Sequence, residues 1–297
     1  MLWQKGRRSD NVEDVGSGGG RGFGGGGFGG GRGLGLGGIV ILAILGLVFF
    51  KDPTALLQGD QQGGPVPQQQ RAAPQANTGT ASASAEQKDF VRAILGDTED
   101  TWHQIFQEKG KTYVDPKLAL FRGSVNTACG SASAAVGPFY CPGDQIVYLD
   151  VDFFDELSNR FHAAGDFARA YVIAHEVGHH VQEQLGIFDK VAQARQSGAR
   201  MEGADGLSVR QELQADCFAG VWANRGQQRN KWLEPGDIES AMTAATAIGD
   251  DALQQQARGR VVPDSFTHGT SAQRVKWFKT GFTSGDPNSC NTFVGVP

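Results

Sequence analysis

The sequence lacks the positive charge that nucleic-acid binding requires. Up to Lys51 there are six basic residues (Lys5, Arg7, Arg8, Arg21, Arg32, Lys51) and three acidic ones (Asp10, Glu13, Asp14). The remainder therefore carries 21 of the 27 basic and 29 of the 32 acidic residues, a net charge of −8. A body this acidic has no electrostatic footprint for a phosphate backbone, and no nucleic-acid partner is expected. Internal repeats are absent. Cysteine is scarce: only Cys129, Cys141, Cys217 and Cys290 occur in 297 residues. An even number suits two disulfides in an oxidising compartment, although buried free thiols would give the same count.

Charge is missing altogether between Arg32 and Lys51, where the run GLGLGGIVILAILGLVFF is 18 residues long. At 1.5 Å per residue it spans about 27 Å, enough to just cross a hydrocarbon core. Its basic flank is long for a cleaved signal peptide and no clean small-x-small site follows, so 33–50 reads as a transmembrane signal anchor. The positive side is N-terminal. By the positive-inside rule this predicts a single-pass inner-membrane protein with a cytoplasmic N-terminus and an extracytoplasmic (periplasmic) domain. Residues 1–32, polar and then Gly-rich, read as a flexible cytoplasmic tail, with too few arginines among the glycines for an RGG-like RNA-binding segment. Residues 51–86, rich in Gln, Pro, Ala, Ser and Gly, read as a disordered linker, which leaves 87–297 as the folded domain.

Within that domain Phe90, Ile94, Trp102, Ile105 and Phe106 suggest a helix over 88–108. Two strand-like runs, KLALFRG and QIVYLDVDFF, flank a loop rich in Gly, Ser, Ala and Pro. Helical patterns follow at about 153–162, 166–185, 206–225, 235–256 and 270–280. The sum is a mainly helical α+β domain with a small sheet.

The segment AYVIAHEVGHHVQEQL holds His175, Glu176 and His179 as H-E-x-x-H. On a helix the two histidines lie one turn apart on one face and can share a tetrahedral Zn²⁺. Glu176, beside the first of them, can take a proton from the water such an ion activates. With six histidines and eleven glutamates in the chain, chance placement gives this pattern in roughly 0.5 % of cases. Ala170, Ala174, Val177, Val181 and Leu185 form an apolar stripe on the opposite side, so the histidines do not read as core residues. Gly178 costs the helix about 1 kcal/mol relative to Ala, which suggests close packing near the metal. His180 points about 100° away from His179 and is not expected to be a ligand.

A catalytic zinc needs a third protein ligand and an open position. In SVRQELQADCFAGVWA, Glu212 and Asp216 are four apart on one helical face. Glu212 is assigned to the metal and Asp216 to orienting a ligating histidine. An exposed acidic face is the plainer reading of the pair. His268 is the rival third ligand; otherwise it could stabilise the oxyanion of the tetrahedral intermediate, with Tyr140 and Tyr148 as alternatives. A Cys129–Cys141 bond would close about 13 residues and stabilise by about 3 kcal/mol. Cys217 and Cys290 would then pair by elimination, with the other connectivities open.

At these residues the chain closely resembles the bacterial neutral zinc metallopeptidases of the YpfJ-like family. The likeness spans the N-terminal SDNVED, the apolar run, the CG…GPFYCP loop, YVIAHEVGHHVQ, SVRQELQADCFAGVW and VVPDSFTHGTSAQR. It implies a zincin-like fold. Its Glu-x-x-x-Asp segment is similar to that of gluzincins, which implies the metal-ligand role for Glu212 and the supporting role for Asp216. The expectation is a membrane-anchored zinc metalloendopeptidase acting on peptide or protein substrates, whose edge strand could bind an extended peptide. The alternative is an inactive, zinc-stabilised envelope binding or scaffold protein, against which the intact Glu176 argues.

Overall fold

The computed structural model describes residues 1–16, 82–133 and 136–294. The apolar run 33–50, half of the predicted tail (17–32) and most of the linker (51–81) lie outside these residues. Among the described residues no helix is long and apolar enough to cross a membrane.

The first long helix, α1 (Ala85–Glu108), begins where its sequence dictates. The Ser84 side chain accepts from the Gln87 amide, and the Gln87 side chain accepts from the Ser84 amide, a reciprocal cap on two otherwise orphaned donors. Phe90, Ile94, Trp102, Ile105 and Phe106 are all buried.

The sheet explains the two strand-like runs. Four strands, β1 (Val12–Gly16), β2 (Lys117–Phe121), β5 (Phe139–Cys141) and β6 (Ile146–Asp150), lie in the order β1-β2-β6-β5. The β1–β2 and β2–β6 pairs are parallel, and β5 runs antiparallel to β6. Successive residues alternate between faces. Leu118, Leu120, Val147 and Leu149 join the main core with the helices. Ala119, Phe121, Ile146 and Tyr148 join a smaller cluster with Val125 and Ala132 of the hairpin β3–β4 (Ser124–Thr127 and Gly130–Ser133). Burial on both faces is why these strands read as nearly unbroken apolar runs.

The helical half comprises α2 (Phe153–Asn159), α3 (Asp166–Gln184), α4 (Ile187–Gln196), α5 (Leu207–Asn230), α6 (Asp237–Ala247), α7 (Asp250–Arg258) and α8 (Ser271–Ser284). The predicted 235–256 helix is two helices broken around Gly249, and α4 has no counterpart in the sequence-based reading. Helices α5 and α8 pack backbone to backbone: a Cβ on Gly281 would overlap the Cys217 carbonyl. Disulfides join Cys129 to Cys141 and Cys217 to Cys290, the expected pairs.

One expectation needs correction. Residues 1–16 are not a tail but part of the folded body. The Met1 ammonium lies 3.0 Å from Glu234 and 3.2 Å from Asp237, and Trp3 donates to Asp166 at 3.0 Å. Buried Glu99 on α1 accepts from Ser9 (2.6 Å), Asn11 (2.9 Å) and Arg7 (2.6 Å). Arg8 pairs with Asp89 at 2.7 Å, and Lys88 pairs with Asp14 at 2.7 Å. The SDNVED motif thus supplies the Glu99 clasp and then strand β1. Its charged, half-buried character hid it: VEDVG alternates too weakly to read as a strand.

Glu99 is 2 % exposed and holds three donors of this segment. Glu99→Ala leaves Ser9 and Asn11 without their buried acceptor, and urea unfolding should show a loss of about 2–4 kcal/mol. A loss below about 0.5 kcal/mol would mean that the clasp contributes nothing.

Candidate metal centre

Helix α3 is buried on almost every side, from Phe167 to Gln182. The face opposite its apolar stripe is therefore not solvated; α5 covers it. The helices can meet because position 178 carries no side chain. A Cβ on Gly178 would sit 3.1 Å from both Cα and O of Ala215, tighter than ordinary packing permits. Ala215 lies between Glu212 and Asp216, so this contact delivers both carboxylates to the histidine face.

There Nε2 of His175 lies 3.2 Å from Glu212 Oε2, and Nε2 of His179 lies 3.5 Å from Glu212 Oε1. One ligand atom from each of the three residues falls within 4.8 Å of the others, and all three residues are buried. Ligands about 2.0–2.1 Å from a tetrahedral zinc stand roughly 3.3–3.4 Å apart. The donor set and its spacing fit zinc, and it was Glu212, not His268, that the fold brought to the histidines.

Asp216 stands behind His175. Its Oδ1 lies 2.8 Å from His175 Nδ1 and accepts from the Tyr171 hydroxyl at 2.5 Å. Arg274 on α8 donates to both carboxylate oxygens at 2.9 Å. With Asp216 ionised, the proton on His175 Nδ1 is held in place, so Nε2, which faces Glu212, is the nitrogen that would give up its proton to bind a metal. Burial alone would push these groups toward neutrality. Instead, Arg274 and His175 hold the Asp216 carboxyl down at about 2. Burial also acts to lower His175, but Asp216 and Glu212 carry it up to about 10 in the metal-free site. Burial raises the Glu176 carboxyl above its ordinary range, which suits a base that must accept and then release a proton.

His268 stands outside the ligand cluster but within its field. Its Nδ1 is 3.2 Å from Asp250 Oδ1, while Asp250 Oδ2 accepts from the backbone amides of Thr267 (2.7 Å), His268 (2.6 Å) and Gly269 (3.0 Å). Burial acts to lower the His268 pKa, and the Asp250 bond and the Glu212 charge raise it on balance. Tyr140 is engaged with His180 at 3.2 Å and Tyr148 donates to Asp144 at 2.9 Å, so both alternative oxyanion donors have other partners. His180 is no ligand: its Nε2 lies 2.7 Å from the Val114 carbonyl.

Tyr171, Arg274 and Asp250 did not emerge from residue-level reading. Tyr171 did leave a signal, since 171, 175 and 179 share the i, i+4, i+8 face of α3. Arg274 and Asp250 left none, because they reach the site from separate elements.

The family model described as "Putative neutral zinc metallopeptidase" matches residues 1–293. The chain is 51 % identical over 296 residues to the uncharacterised protein YpfJ of Escherichia coli (strain K12), covering 99 % of each. It is 42 % identical over 254 residues to the uncharacterised protein Mb2605 of Mycobacterium bovis, covering 80 % of this chain and 85 % of that one. No solved structure matches.

The His175–Asp216 pair sets a pH window for the metal-free protein. The Asp216 contribution is present above the ordinary carboxylate range and is lost as pH falls toward about 2. The His175 contribution is complete below about 6.5 and is lost as pH rises through about 10. Chelator-treated protein should therefore lose stability steadily from pH 7 to pH 10, and Asp216→Asn should flatten that slope. A flat wild-type profile over this interval would contradict the coupling.

Proposed function

The chain belongs to this neutral zinc metallopeptidase family, and we propose that it hydrolyses peptide bonds in peptide or protein substrates. The reading is carried by one observation: three buried ligand atoms at zinc spacing, with Glu176 adjacent to His175 on the same helix. His175, His179 and Glu212 would hold the ion. Zinc bound there would polarise the scissile carbonyl and acidify the attacking water.

The chain's own residues supply the rest. Glu176 takes the water proton and delivers it to the leaving amine. His268, held by Asp250, donates a hydrogen bond to the oxyanion that develops at the carbonyl carbon. The edge strand β5 runs past α3, with the Tyr140 ring packed on His180 and Phe188. An extended substrate can add to this edge by main-chain hydrogen bonds.

Glu176→Gln should keep zinc at one ion per chain while casein hydrolysis falls by about 10²–10⁴. Glu212→Ala should lose zinc. If Glu176→Gln cleaves as well as wild type, the mechanism is wrong. Full zinc in Glu212→Ala, with loss in His268→Ala, would reassign the third ligand.

Two disulfides support an extracytoplasmic location, where such bonds persist. A strand cannot pair with its neighbour across a bilayer, and β1 pairs with β2. We infer from this pairing that 1–16 and 82–294 share one side, the extracytoplasmic one, rather than being separated by a single crossing with a cytoplasmic N-terminus. Single cysteines at exposed Asp10 and exposed Val114 should both react with a membrane-impermeant maleimide in spheroplasts. Labelling of Val114→Cys alone would restore the single-pass reading.

A further inference from the structure

The two histidines are held from behind by different chemistry. His175 has an ionised carboxylate; His179 has a chain of neutral amides. His179 Nδ1 lies 2.9 Å from Gln182 Oε1. Gln182 Nε2 donates to the Gln211 backbone carbonyl at 2.7 Å and to Gln214 Oε1 at 3.0 Å. Gln214 Nε2 donates to the Cys290 backbone carbonyl at 3.0 Å. Both glutamines are buried, Gln182 completely.

The polarity of this chain is not free. A backbone carbonyl can only accept, so the Gln211 carbonyl obliges Gln182 to present its NH₂ there, and the Cys290 carbonyl does the same to Gln214. Flipping Gln182 would set its oxygen against the Gln211 carbonyl oxygen. Gln182 Oε1 therefore faces His179 and requires a proton on Nδ1. That reserves Nε2, the nitrogen facing Glu212, as the one that would give up its proton to a metal.

The far end of the chain is held covalently. Cys290 closes a short turn (Pro287–Cys290) after α8, and its side chain is bonded to Cys217 on α5. Beyond it, Arg210 donates to the Thr292 carbonyl at 2.8 Å and the Thr292 hydroxyl donates to the Arg210 carbonyl at 2.6 Å. The C-terminal strap is thus fastened to the helix that carries Glu212.

We propose that Gln182 and Gln214 are positioning residues for His179, and that the Cys217–Cys290 strap anchors this relay, so that zinc affinity depends on a disulfide outside the ligand set. The proposal rests on the metal-site reading above. It explains why two uncharged side chains are buried together beside the centre, where apolar residues of the same size would otherwise pack.

The test is zinc affinity by competition with a chromogenic chelator, using the full chain, together with the exchange-protected imidazole Nδ1 proton of His179 by NMR. Gln182→Met should weaken zinc binding about 10–100-fold and abolish the protected proton. Gln214→Met should shift affinity in the same direction by less. Cys217→Ser/Cys290→Ser should mimic Gln214→Met, and combining the two should add nothing further. Gln182→Met binding zinc within twofold of wild type, or fully additive losses in the combined variant, would overturn the relay. If Gln182→Met fails to fold, Gln214→Met and the serine pair carry the same comparison. Wild type that takes up no zinc would sink the metal-site reading itself, whereas the Nδ1 proton would still report on the relay in the metal-free protein.

Discussion

The centre depends on one close approach, the contact of α3 with α5 at Gly178 and Ala215. Each helix brings an incomplete set: two imidazoles and a base from α3, two carboxylates from α5. Only where the backbones nearly touch do Glu212 and Asp216 reach opposite sides of His175, one toward the metal position and one behind the ring. Glycine weakens a helix interior, and that cost is tolerated because a methyl group would push the helices apart at the point where tenths of an ångström set ligand spacing. The backbone contact of α5 with α8 at Gly281 extends the arrangement, since α8 carries the Arg274 that neutralises Asp216.

The site therefore settles two electrostatic problems separately. Two buried carboxylates beside two imidazoles would repel one another without compensation. Arg274 and Tyr171 tie Asp216 into a fully bonded cluster, leaving Glu212 as the carboxylate that faces the metal position. A second charged partner behind His179 would have raised the negative charge of the centre. An amide chain orients that ring without adding charge. His268 follows a third pattern, a carboxylate itself held by three consecutive backbone amides.

Much of this was legible in sequence because it is local. His175, Glu176 and His179 declare themselves through helical spacing, and Glu212 with Asp216 through the same spacing on a second helix. The main helices followed from apolar periodicity, apart from the break near Gly249 and the short, half-exposed α4. What was not legible is what crosses elements. Nothing in the pattern around Asp250 says that it meets His268, and nothing around Gln214 says that it links α3 to the strap after α8. Strand β1 was missed for a related reason. A five-residue edge strand with two acidic side chains has little alternation, and its partner β2 lies about a hundred residues away.

The seating of Met1–Gly16 alters what the intervening chain is mechanically. Both ends of the stretch between Gly16 and Ala83 are moored on α1 and the sheet, through Glu99, Asp89 and Lys88 at one side and the Ser84 cap at the other. It is a bight rather than a leash. A leash that is cut frees its cargo. A bight that is cut leaves both strands made fast, so a nick anywhere along it would yield a two-piece protein still joined by a parallel strand pair and its ion pairs, with the metal ligands undisturbed.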